Sequence, residues 1–411
     1  MNNQLIDHLF RYHSGKMVSV LTRIFGLQHL ETIEDAVQDT FIQASISWRT
    51  RIPENPEAWL IKAAKNRTID IFRKLKSEEE RNIKYTSGLK GIPLNDLFLE
   101  NEIEDSQLRM IFTACHPILD SRDSIAFALK TVSGFSTKEI ASALLIKEET
   151  IKKRLARSRK EIVAKNISFT IPQGVELTKR LHTVQEVIYL IFNEGFHSVK
   201  KDEIIRKELC GEALRLCKIV LQKESIRTSK TYALFALLCF HASRLEAKTD
   251  TDNNLLNLKE QDRSLWYKPL IETGNMAMNK ALEMSQELSF YHIEAAIASE
   301  HLKAKTFEDT NWVKILYWYQ SLEKIEPSPS AFLNIAVVYL QLNQVKDAKR
   351  YLDKVSPSDL GPRMYLYYGT LADYYLAVNE ILCAKKELEK AIELTSNVLE
   401  KKYLLNKLKS F

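Results

Sequence analysis

Hydrophobic residues recur at three- and four-residue intervals along almost the whole chain, a pattern that predicts an all-α fold. Leu5, Leu9 and Tyr12, then Val20, Ile24 and Phe25, mark a first helix over residues 5–25. Ile33, Val37, Phe41 and Ala44 mark a second, whose other face carries Asp35, Gln38 and Asp39. Trp48 to Asn55 forms a short loop with two arginines and a proline. In the third helix Asn55 suits the N-cap, Pro56 the first helical position and Glu57 the positive end of the helix dipole. Ile61, Ala64, Thr68, Phe72 and Leu75 give it a packing stripe, and Lys62, Lys65, Asn66, Arg73 and Lys76 fall on another.

Residues 77–106 show no period. They hold a run of Glu78, Glu79 and Glu80, the turn formers Gly88, Gly91 and Pro93, and an acidic end at Glu100, Glu102, Glu104 and Asp105, so they read as a flexible linker. Periodicity resumes at Leu108 and again over Asp120 to Val132. Ser136 and Glu139 form a capping box, and Ile140, Ala141, Leu144 and Ile146 supply the inward positions of a helix-turn-helix. Its second helix runs from Glu148 to Ala164, with Ile151, Leu155 and Ile162 inward. Leu145 stands where a turn glycine is frequent, and Lys147 is a poor N-cap.

From Ser168 onward the chain reads as amphipathic helices joined by short polar turns. Residues 331–355 repeat at an offset of 36. Ala336 falls on Ala372, Tyr339 on Tyr375, Leu340 on Leu376, Ala348 on Ala384 and Leu352 on Leu388. Small residues recur where helices cross and large ones where they pack, close to the tetratricopeptide pattern, and Trp312 to Ile325 supplies an imperfect third unit.

A length of 411 residues bounds the chain to two or three domains. With 11 Gly and 10 Pro, turn formers are scarce, which favours long helices and leaves little room for β-structure. Met1 to Gly15 carries no signal pattern and no apolar run reaches about 18 residues, so a cytoplasmic protein with no membrane contact is expected. Cys115, Cys210, Cys217, Cys239 and Cys383 contain no CxxC and are expected as buried reduced thiols.

Charge changes the picture. The net formal charge is +6, yet Lys62 to Lys76 alone holds six Lys or Arg against one acid, and Lys147 to Lys165 holds eight against three. One basic stripe is ordinarily a solvated face. Two of them, one inside a helix-turn-helix, point to a polyanion such as duplex DNA. Chemistry finds no support. Glu300-His301 lacks a second histidine four residues on, no Gly-rich phosphate loop is present, and Cys115-His116 are neighbours only in sequence. Cys210 and Cys217 share a helix face without completing a ligand set. No enzyme, metal or cofactor is implied.

EDAVQDTF, followed about 20 residues later by NPEAWLIKAAKNRTIDIFRK, resembles region 2 of the sigma factors of bacterial RNA polymerase, in the compact extracytoplasmic-function (ECF) class that keeps only regions 2 and 4. The helix-turn-helix with ETIKKRLARSRKEI resembles region 4. FTACHP, IYLIFNEGF, NLKEQDRSLW and SPSAFLNIAVVYLQ resemble the subgroup that carries a long C-terminal helical extension. The resemblance divides the chain into region 2 (1–76), linker (77–106), region 4 (107–167) and extension (168–411), with repeats clearest at 331–396.

It also implies partners, core RNA polymerase and promoter DNA, and roles for named residues. Arg49, Arg51, Asn55, Trp59, Lys62, Lys65, Asn66, Arg67, Arg73 and Lys74 would meet the downstream promoter element, where a basic channel catches the separated strand. Trp59 suits either stacking on a base or core packing. Glu149, Thr150, Lys153 and Arg154 would reach base edges of the upstream element, and Lys152, Arg157 and Arg159 its phosphates. Asp35, Gln38 and Asp39 would dock on the clamp-helix coiled coil of the largest polymerase subunit. The extension would regulate these contacts in cis, with a protein or peptide as a partner for its repeats, or act as a packing scaffold. The rival reading is a ligand-responsive regulator whose helix-turn-helix binds an operator. The acidic helix beside the basic one separates the two, because only a polymerase-docking protein requires it.

Overall fold

The structure, a computed structural model, describes residues 2–49, 51–78, 99–144, 146–196, 206–251, 254–395 and 397–409. Among them are eighteen α-helices and no strand, only an isolated bridge between Thr249 and Leu255. None of these helices is long and apolar enough to cross a membrane. The chain forms two compact units, Met1–Ile191 and Phe192–Phe411.

The first unit is built from α1 (Asn2–Phe25), α2 (Leu30–Ser47), α3 (Pro56–Glu78), α4 (Glu100–Ala114), α5 (Ser121–Thr131), α6 (Thr137–Leu144), α7 (Glu148–Ala164) and the first turns of α8 (Gly174–Phe196). Helix α1 is its axis. Met17, Val18, Leu21 and Ile24 are buried on it, and it packs against α2, α3, α4 and α5. The contact with α5 is close enough to require glycine. A Cβ at Gly15 would stand 2.0 Å from the Val132 carbonyl oxygen, where no side chain fits. Regions 2 and 4 therefore share one core, with Phe112 and Phe127 among its largest buried side chains.

Local signals held where the backbone needs partners. The Ala58 amide donates to Asn55 Oδ1 at 2.9 Å, and the Ser136 and Glu139 side chains cap each other's backbone amides at 3.2 and 2.8 Å. Lys147 makes no side-chain cap, and Leu145 lies outside the described residues. Two expectations change. The acidic end of the linker is helical, because Arg23 of α1 binds Glu102 at 2.6 Å and Asp105 at 3.5 Å, which fixes the start of α4 to region 2; residues 79–98 lie outside the described residues. The start of the extension belongs to the first unit, where buried Arg180 of α8 donates to the Phe112 carbonyl oxygen and Arg109 to that of Phe169.

The second unit continues with α9 (Lys207–Gln222), α10 (Ser229–Ala242), α11 (Lys268–Met284) and α12 (Phe290–Lys303). Apolar α10 is its centre and packs against the other three; Gly274 lets α11 cross at the Phe240 ring, 2.5 Å from where a Cβ would be. Helices α13 (Trp312–Ile325), α14 (Pro329–Gln341), α15 (Val345–Leu352), α16 (Met364–Ala377), α17 (Ile381–Leu394) and α18 (Val398–Lys409) then pack successively. The offset of 36 is a structural repeat. Ala336, Ala372, Ala348, Ala384, Leu352 and Leu388 are all fully buried at the crossings of α14 with α15 and α16 with α17. Each pair turns on an asparagine in the left-handed region, Asn343 (φ 57°) and Asn379 (φ 63°), again 36 apart. Four cysteines are buried thiols as expected, whereas Cys383 is exposed.

Candidate polymerase and nucleic-acid interface

Helix α2 buries Ile33, Ala36, Val37 and Phe41 against the core, so the spacing of a helix turns Asp35 and Gln38 to solvent and leaves Asp39 half-buried beside them. The stripe does not end there. Ile42 (47% exposed) and Ile46 (55% exposed) continue the same face at the next turns. An acidic end joined to an exposed apolar end is a docking surface in outline, since charge orients a partner and apolar area holds it. The sequence carried this signal in Ile42 and Ile46, which break the polar character of that face.

Helix α3 crosses α2 and is anchored by Leu60, Ala64 and Thr68. Lys62, Asn66 and Arg67 are exposed, Lys65 is half-buried, and Arg49, Arg51 and Asn55 are exposed in and after the preceding loop. Trp59 is half-buried and packs edge-on against buried Trp48, with ring centroids 5.4 Å apart. Arg67 donates to Asp39 at 2.8 Å and links the basic stripe to the acidic one. Both side chains are nearly half exposed, so the pair contributes at most about 1 kcal/mol. Arg73 and Lys74 lie on α3, but their side chains are outside the described residues.

On α7, Arg154 is 19% exposed and lies 3.8 Å from Asp123 of α5, and Lys152 pairs with Glu148 at 3.5 Å. Glu149, Lys152 and Lys153 are exposed, and Thr150 and Arg154 are half-buried. Exposed Lys160 follows two turns on and was not singled out from the sequence. Arg157 donates to Asp123 of α5 at 2.5 and 2.8 Å, within region 4. Arg159 donates to Glu34 of α2 and is only 19% exposed. Glu34 is buried beside it, and burial pushes its carboxyl above the usual range against the pull of Arg159. Arg157 and Arg159, both expected at phosphates, are paired with carboxylates within the unit, Arg157 while still 55% exposed.

These contacts place region 4 along the edge of the α2 stripe. A cleft of about 330 Å³ between them is lined by Gln38, Phe41 and Ile42 from α2 and by Lys130, Ser136 and Thr137 from region 4. Asp35 has its carboxyl raised by partial burial and by Glu31, and Arg159 and Lys130 of region 4 pull it back. Among the described residues no group of His, Cys, Asp and Glu is arranged to hold a metal.

Residues 9–78 match the family model for sigma-70 region 2, and residues 109–162 match sigma-70 region 4. Residues 180–282 match a family of unknown function (DUF6596). An uncharacterized protein of Rhizobium meliloti is 33% identical over 396 residues, covering 94% of this chain and 91% of its own. The ECF RNA polymerase sigma factor SigE of Mycolicibacterium smegmatis is 28% identical over 156 residues, 38% of this chain and 59% of that protein. The ferric citrate uptake sigma factor FecI of Escherichia coli is 28% identical over 154 residues, 37% of this chain and 85% of its own. No solved structure matches. With both sigma regions in order, each on the helices their chemistry requires, and a third, helical part shared with a relative of nearly the same span, the chain belongs to the ECF class of sigma-70 RNA polymerase sigma factors and carries a C-terminal extension.

Proposed function

We propose that this sigma factor docks on core RNA polymerase through the α2 stripe from Asp35 to Ile46, reads an upstream promoter element with the first half of α7, and holds the separated downstream strand on α3. The observation that carries the reading is the adjacency of an acidic, apolar-ended face on α2 and a basic face on α3. DNA repels the first and attracts the second, so the two faces suit two partners at once. The protein supplies positioning and carries out no chemistry of its own.

The described arrangement of regions 2 and 4 is a closed one. Arg159 lies against α2 and Lys130 and Thr137 border the docking stripe, so a partner seated on α2 gains room when α7 swings away. Opening also frees Arg159 for phosphate. The extension regulates this transition in cis.

Run-off transcription with purified core polymerase tests the proposal, on promoter fragments selected by binding from the native genome. Full-length protein should give start-site-specific transcripts that vanish with Asp35→Arg. A version ending at Phe196, which keeps the Arg180 and Arg109 contacts, should differ in transcript yield from the full chain. Binding of a discrete duplex without any binding of core polymerase would replace the sigma reading with that of an operator-binding regulator.

A further inference from the structure

The second unit contains a groove of about 620 Å³ bounded by α12, α13, α14, α16, α18 and the turn at residues 257–259. That volume lies within the roughly 300–1,000 Å³ typical of small-molecule sites. One wall is aromatic. Trp312 meets Phe307 edge-on at 5.1 Å and His301 at 5.4 Å, and Tyr319 and Tyr403 face the same space. The turn is tied to α18, because Asn257 donates to the Tyr403 hydroxyl at 2.8 Å.

The charges around this groove are unbalanced. At its rim Lys259 is exposed, its ammonium 5.9 Å from the Phe307 ring centroid, and among the described residues no carboxylate pairs with it. Lys407 is matched by Asp373 at 2.5 Å. Behind the His301 wall lie Arg263 and Arg244. Arg263 donates to the carbonyl oxygens of His301 and Ala304, both at 2.7 Å, and Arg244 to the His241 ring at 3.1 Å, so neither spends its charge on a carboxylate. The nearby acids act elsewhere or from a distance. Glu300 is held by Lys303 and Lys314 at 2.9 Å each, and Glu308 and Asp309 are exposed beyond Arg263. Burial, then Arg244 and Arg263, pull His301 down to about 3, and burial and Arg263 pull Arg244 down to about 10. Fixed positive charge behind a low-dielectric wall projects into the groove and favours an anion there.

We propose that this groove binds a small organic anion, a planar apolar body against Trp312 and Phe307 bearing a carboxylate or phosphate directed toward Lys259. This goes beyond the sigma reading and does not depend on it, since the site lies wholly within the extension.

Fluorescence titration of the full-length protein tests it with two dyes of similar shape, anilinonaphthalene sulfonate, which is anionic, and N-phenyl-1-naphthylamine, which is not. The anionic dye should bind at least tenfold more tightly. Lys259→Glu should remove that advantage and leave the neutral dye within about twofold, and Trp312→Ala should weaken both. Lys259→Gln, at an exposed position, guards against a folding defect and should give an intermediate loss. Indole-3-carboxylate or phenyl phosphate should displace the dye, and whichever does so identifies the anionic group. Equal binding of the two dyes, no response to Lys259→Glu, or displacement only by an acidic peptide would overturn the proposal.

Discussion

Arg159 of α7 donates to Glu34 of α2, joining the second half of α7 to the helix whose other face carries Asp35, Gln38 and Asp39. The carboxylate is buried, so losing its partner leaves an uncompensated charge that costs about 3–5 kcal/mol. Arg159→Ala should therefore loosen the closed unit. Amide hydrogen exchange in α7 should accelerate at least tenfold relative to the native protein, while exchange in α10 of the second unit stays unchanged. Glu34→Gln, which keeps a hydrogen bond to the guanidinium, should fall between the two.

The apolar end of the α2 stripe gives a second test. Ile42 and Ile46 touch solvent in the free protein, so Ile42→Glu should leave the melting temperature within about 2 °C while weakening core polymerase binding about tenfold or more. Unaltered affinity, measured by titration of labelled core polymerase, would remove the apolar half of the docking surface.

Glu294 of α12 receives no hydrogen bond or ion pair among the described residues, and burial pushes its carboxyl up to about 7. The folded state then holds a proton that the unfolded chain has released above its ordinary value of 4.5, so this group's contribution to stability falls as pH rises from about 4.5 to 7 and is level above. Glu294→Gln should accordingly raise the melting temperature at pH 8 and leave it nearly unchanged at pH 4.5. Calorimetry of both proteins at the two pH values checks the sign.

The turns of the repeat offer a fourth. At φ 57° and 63° Asn343 and Asn379 occupy a region that asparagine tolerates and β-branched residues do not. Asn379→Val should cost about 1–2 kcal/mol, and Asn379→Gly should be neutral or slightly stabilising, as read from denaturant midpoints of the full-length protein.

Much of this architecture was legible because it is local. The capping box at Ser136 and Glu139, the N-cap at Asn55, the span of α7 and the alanine crossings at offset 36 each depend on residues within a few turns of one another. What escaped depends on partners far along the chain. Arg157 and Arg159 look like phosphate ligands by position, and only packing brings them to Asp123 and Glu34, 34 and 125 residues away. The acidic end of the linker reads as solvated chain until Arg23 draws it into α4. Trp59 suits packing or stacking by sequence, and its contact with Trp48, 11 residues back, appears only in the fold.

The Asp39–Arg67 bridge has a consequence for how two partners sense each other. Each residue sits on the face proposed above for a different macromolecule, and each is paired with the other in the free protein. A basic surface that claims Asp39 releases Arg67 to a phosphate, and a phosphate that claims Arg67 releases Asp39 to the basic surface. Linkage makes the effect equal in both directions, and with a bridge of at most about 1 kcal/mol it is bounded at roughly fivefold. One surface ion pair is thus a small, built-in preference for binding both partners together over binding either alone, and Asp39→Asn combined with Arg67→Gln should erase it.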